Sequence, residues 1–141
     1  MLSEADITRI AGYIARSCAP LAVGTFGSYA VGSQCASSDL DLFVIRDTTE
    51  APGPRQRAIR SLLFGVAHPI DIHVFTPKEF EETAYEYLSF TWVIVRQAKL
   101  YHWMEDAKRR VPSLFAEPLP VARQNSDLLS KCVAPRRVSC Q

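Results

Sequence analysis

The spacing of apolar positions divides the chain into alternating helical and extended segments. From Ser3 onward, Ile7, Ile10, Ala11 and Ile14 recur at intervals of three and four, which lines one face of a helix. Ser3 is suited to cap that helix, Glu4 and Asp6 favour its positive end, and Pro20 stops it. Residues 21–26 form a short apolar run that reads as a strand, halted by Gly27 and Ser28. Ser28 is then expected to cap a brief helix through Tyr29, Ala30 and Val31, ended by Gly32. A second strand is expected over residues 39–45, alternating at its start and wholly apolar at its end. A third is expected over 70–75, where Ile70 and Ile72 flank Asp71.

The stretches between these strands read as helices and loops. Residues 46–54 are rich in turn formers and predict a loop, and 56–65 predict a helix with Ile59, Leu62, Leu63 and Val66 inward. Arg55, Arg57 and Arg60 are placed outward, on a face that reads as solvated before it reads as a phosphate or partner site. Thr76, Pro77 and Glu79 spell a capping box, followed by Phe80, Ala84, Tyr85 and Leu88 at helical spacing. Ser89 or Thr91 is expected to cap a last helix that buries Trp92, Val93, Val95 and Ala98 and runs towards Leu100, Tyr101 and Trp103. The aromatics Tyr85, Tyr87, Phe90, Trp92, Tyr101 and Trp103 read first as core packing or a protein interface and second as a base-stacking platform. From Pro112 the prolines multiply and periodicity fades, so 1–111 is expected to be the folded domain and 112–141 an extended or poorly ordered tail. The class that follows is α/β.

Composition narrows the possibilities. At 141 residues the chain is one domain's worth. Sixteen Lys and Arg against fifteen Asp and Glu leave no basic field, which argues against direct nucleic-acid binding. No apolar run approaches the ~20 residues of a membrane span, and no basic-then-apolar leader opens the chain, so a cytoplasmic location is expected. The four cysteines, at 18, 35, 132 and 140, lack zinc-type spacing and read as free thiols in a reducing compartment. Self-association is left open.

The candidate chemistry lies in two places. Asp39 and Asp41 are two apart on a strand, so both carboxylates emerge on one face. Side by side they repel, by a few tenths to about 1 kcal/mol. A hard divalent cation such as Mg²⁺ removes that objection. A bare Asp-x-Asp is more simply a solvated strand end, but eleven residues earlier Gly27 and Ser28 open a helix whose free N–H groups suit a phosphate. Asp71 offers a third carboxylate, and His73 shares its strand face.

Together, GSYAVG at 27–32 and SDLDL at 38–42 resemble the signature of the DNA polymerase β-like nucleotidyltransferase superfamily, most closely its minimal nucleotidyltransferase (MNT) branch. That signature is a glycine-serine pair, a short helix, a Ser-Asp-x-Asp strand and a third acidic residue on a later strand. The resemblance covers roughly residues 21–75 with motif-grade specificity, and more loosely the helices to about Trp103. It implies a small mixed β-sheet flanked by helices, packed mainly on one face, with residues 1–111 as the minimal nucleotidyltransferase domain.

The resemblance also implies a reaction. Asp39, Asp41 and Asp71 would be the catalytic and metal-binding residues, holding two Mg²⁺ ions, and Gly27 and Ser28 would bind the phosphates of ATP or another nucleoside triphosphate. Proteins of this size in the branch look like antitoxins paired with a HEPN-type toxin, to which they transfer AMP. Transfer to a small molecule, as in aminoglycoside nucleotidyltransferases, is the alternative, and a catalytically weak binding module is the other. The family usually has arginine where this chain has Val31, a departure that removes a cation from the triphosphate site.

Overall fold

In the computed structural model, which describes residues 1–116, the chain opens with helix α1 (Glu4–Cys18). Its stripe is buried at Ile7, Ile10, Ala11 and Ile14, and Ser3 caps it through a box closed by Asp6. Strand β1 (Ala22–Phe26) runs into the short helix α2 (Ser28–Val31), and a connecting segment leads to strand β2 (Leu40–Ile45). Helix α3 (Pro52–Leu62) carries the chain to strand β3 (Ile70–Phe75). Then follow α4 (Pro77–Thr83), α5 (Phe90–Gln97), strand β4 (Lys99–Trp103), α6 (Glu105–Arg110) and α7 (Pro112–Phe115). Among the described residues no helix is long and apolar enough to cross a membrane.

The strands form one mixed sheet in the order β3-β2-β1-β4, with β1 antiparallel to both neighbours and β2 parallel to β3. The apolar end of β2 explains its central place. Leu42 and Val44 face a core built with Ile10 and Ile14 of α1 and Ile59 of α3, while Phe43 and Ile45 face a second core built with Phe80, Ile94 and Leu114. A strand covered on both sides has no polar position to spare, hence the unbroken apolar run. Helices therefore cover both faces, where the resemblance implied mainly one.

Several local expectations are corrected. Residues 99–103 are a strand, not the end of the last helix: α5 stops at Ala98, whose backbone turns extended, and β4 pairs with β1 at the sheet edge. Helical and alternating spacing are hard to tell apart over five residues rich in aromatics. Helix α3 begins at Pro52 rather than after Pro54, because prolines in a first turn lack only N–H groups that have no intrahelical acceptor. Arg55 points inward, only 4% exposed, and its Nη2 donates to both carboxylate oxygens of Glu79, at 2.6 and 2.8 Å. Residues 112–115, assigned to the tail, form α7 and bury Leu114; the remainder of the expected tail, 117–141, lies outside the described residues. Cys18 is a free thiol.

One glycine fixes how closely β1 and β4 approach. The pairing shifts register between Val23 and Gly24, and a Cβ at Gly24 would lie 2.6 Å from the Lys99 carbonyl oxygen and 2.7 Å from the Phe43 ring. Backbone on one side and a fully buried ring on the other leave no easy relaxation. Gly24→Ala is expected to destabilise the fold by about 1–3 kcal/mol, read as a lower denaturation midpoint with an unchanged denaturant slope.

Candidate functional site

Strand register sets two of the three acidic residues side by side, and the third just precedes them. Parallel pairing sets Asp41 opposite Asp71, and Phe43 opposite His73. Residues opposite one another in a ladder share a face, at a strand spacing of about 4.7–4.9 Å. Asp39 precedes β2 and lies two residues before Asp41, roughly 6.6 Å along the same face. This is the face of Phe43 and Ile45, at the end where helices α4–α7 no longer cover it: Asp39 and Asp71 are exposed and Asp41 half-buried.

The glycine-serine turn joins them from the neighbouring strand. Phe26, the last residue of β1, pairs with Asp41, so the chain turns through Gly27 directly beside the carboxylates. Gly27 has φ 73° and ψ −151°, a region that residues with a Cβ avoid. The cap is therefore Gly27, with Ser28 as the first residue of α2, one position from the sequence expectation; Gly32 ends the helix at φ 80° as expected. The Gly27 N–H is already used, donating to Gln97 Oε1 at 3.1 Å. That leaves the first N–H groups of α2 itself, at Ser28 and Tyr29, without an intrahelical acceptor. Buried Tyr29 anchors the turn in the core and accepts from the Leu2 N–H.

Residues that sequence reasoning left aside hold the approach to Asp39. His68 Nε2 donates to the Ser38 carbonyl at 3.1 Å, and the Leu40 N–H donates to the Pro69 carbonyl. Ser38 Oγ accepts from the Cys35 N–H at 2.9 Å and closes the preceding turn. Gln97 and His68 come from distant segments, so no local pattern marks them. Beyond Asp71, His73 lies against the rings of Phe26 and Phe90, with centroids 5.2 and 4.7 Å away. Burial holds its imidazole below the ordinary pKa, against the upward pull of the Asp71 carboxylate.

Three carboxylates on two adjoining strands offer the hard oxygen donors that suit Mg²⁺. As they stand, among the described residues no group of three or more His, Cys, Asp or Glu side chains is gathered closely enough to hold a metal ion.

Comparison with known proteins bears on the fold and the family. A crystal structure of a toxin–antitoxin with AMP-PNP is similar at a TM-score of 0.53 and 15% identity, covering 89% of this chain and 97% of its own. A mutant of the toxin–antitoxin MntA-HpeT with two aspartates changed to glutamate is similar at a TM-score of 0.50 and 14% identity, covering 93% and 98%. A second MntA-HpeT mutant, with a tyrosine changed to alanine, is similar at 0.50 and 15%, covering 94% and 98%. At such identities the likeness is one of fold. No curated protein matches the sequence. A family model described as a nucleotidyltransferase domain matches residues 9–114, from within α1 to α7. With the match running through the glycine-serine turn and all four strands, the chain belongs to the nucleotidyltransferase domain family, a family of transferases.

Proposed function

We propose that the chain transfers AMP from ATP to a hydroxyl on a partner protein, as the MNT antitoxin of a HEPN-type toxin pair. The observation that carries this reading is the in-register pairing of Asp41 with Asp71 at the sheet end where β1 turns through Gly27 and Ser28. The fold likeness to toxin–antitoxin structures, one with AMP-PNP, supports the nucleotide and the class of partner.

In this reading Asp39, Asp41 and Asp71 would hold two Mg²⁺ ions, which when bound would supply positive charge to the triphosphate and the leaving pyrophosphate. The N–H groups of Ser28 and Tyr29 receive the terminal phosphates, and Gln97 keeps the Gly27 peptide oriented for them. The acceptor oxygen bonds to the α-phosphorus as the bond to the bridging oxygen breaks, and pyrophosphate leaves with that electron pair. Asp71, exposed at the start of its strand, would complete the second metal site or take the hydroxyl proton.

Val31 favours a second reading, in which the chain neutralises its partner by contact alone. It is 39% exposed just after the phosphate turn, where the family signature carries a cation. The two readings separate in one assay. The chain, co-expressed with a HEPN-type candidate partner from the same host, is incubated with Mg²⁺ and α-³²P-ATP. Label is expected on the partner protein; label on a small molecule would indicate the antibiotic-modifying alternative. Asp39→Asn and Asp71→Asn are each expected to cut labelling about a hundredfold or more, as is chelation of the metal. Their melting temperatures should stay level or rise slightly, since a like-charge contact worth about 0.5 kcal/mol is removed. Partner neutralisation that survives Asp39→Asn undiminished would establish the contact-only reading. Val31→Arg is expected to tighten ATP binding roughly fivefold, the yield of one partly solvated charge-assisted contact, measured by titration calorimetry.

A further inference from the structure

An exposed aromatic ring stands beside the acidic strands without a structural reason for its exposure. Phe90, the first residue of α5, is 60% exposed although large apolar side chains gain by burial. One side of its ring rests on His73, with centroids 4.7 Å apart and planes 38° apart, and its edge meets Phe26 at 6.3 Å. Both neighbours belong to the site. Phe26 pairs with Asp41 and is followed by the Gly27 turn, and His73 is two residues beyond Asp71 on the same strand face.

We propose that Phe90 is the stacking surface for the nucleobase of the bound triphosphate, backed by the rings of His73 and Phe26. This rests on the nucleotide reading above and adds where the base lies. A phosphate at the Ser28 turn and metal-binding carboxylates at Asp39, Asp41 and Asp71 fix one end of a nucleotide. One strand repeat further, roughly 6.6 Å along β3, the same face changes from carboxylate to ring. That step is of the order a ribose spans, so the base arrives over the aromatic group while the phosphates remain at the turn. A planar ring with one open face accepts any base by stacking and demands no hydrogen-bond pattern.

The other exposed aromatics of this region are engaged elsewhere. Tyr87 packs edge-on against Trp92, which also carries the Arg96 guanidinium 4.0 Å over its ring, and the Tyr85 hydroxyl accepts from Ser113. Their contacts lie within the corner formed by α4, α5 and α7, whereas those of Phe90 lie within the site.

Binding of Mg-ATP and of Mg-tripolyphosphate to the full chain, measured by titration calorimetry on wild type, Phe90→Ala and Phe90→Trp, tests the assignment. Phe90→Ala is expected to weaken ATP about tenfold and to leave tripolyphosphate unchanged, with Phe90→Trp restoring ATP. Unaltered ATP binding in Phe90→Ala, with tripolyphosphate still bound, would overturn the stacking role and leave the phosphate site standing. Equal weakening of both ligands would overturn it as well, because the ring would then be acting on the phosphates or the fold. Loss of partner capture with ATP binding intact would reassign the ring to a protein interface. If wild type binds neither ligand, the nucleotide reading fails and the stacking role with it.

Discussion

The parallel ladder between β2 and β3 is the constraint on which the site depends. Hydrogen bonding in a ladder fixes which residues lie opposite one another, and here it fixes Asp41 against Asp71 over a connection of 24 residues between Ile45 and Ile70 that includes α3. A slip of one residue would turn Asp71 and His73 into the core and bring Ile72 and Val74 out. The apolar residues therefore police the carboxylates: Ile72 and Val74 are held against Leu42 and Val44 by burial in the α1–α3 core. Packing on one face sets the chemistry of the other.

That division explains how a charged site coexists with a sheet covered on both sides. Along β2 the face that carries Asp41 is apolar at the next two same-facing positions, Phe43 and Ile45, which are fully buried. The change from carboxylate to aromatic to aliphatic within five residues follows the coverage by α4–α7, open at one end and closed at the other. Repulsion among the carboxylates costs little in water and far more when desolvated, so the exposed strand ends are where the fold tolerates them. Burial is supplied by their neighbours instead.

Much of this was legible in the sequence because it is local. The α1 stripe, the Thr76 and Ser89 caps and three strands follow from spacing and capping chemistry that act within a few residues. The glycine-serine turn and the aspartate pair were legible for the same reason. What escaped is decided by partners far along the chain. The five residues of β4 take their form from β1, Arg55 is drawn inward by Glu79, and the bonds of Gln97 and His68 to Gly27 and Ser38 span 70 and 30 residues. The aromatics show the limit clearly: spacing could not separate Trp92, which is buried, from Phe90, which is not.

The turn at Gly27 shows why support from a distance matters. A backbone at φ 73° and ψ −151° is open to glycine but is not a conformation that glycine prefers over its alternatives. Two of its bonds are local, from the Ala30 and Val31 N–H groups to the Gly27 carbonyl, and they fix the direction of α2. They do not fix the orientation of the preceding peptide, which is free to rotate unless its N–H has an acceptor. Gln97 supplies that acceptor from the last residue of α5, the same helix whose first residue is Phe90. Helix α5, anchored in the core by Ile94, is thus a rigid bar joining the Gly27 turn to the exposed Phe90 ring. A shift of that helix moves both together and preserves the span between them, which a pair of independent loops could not do.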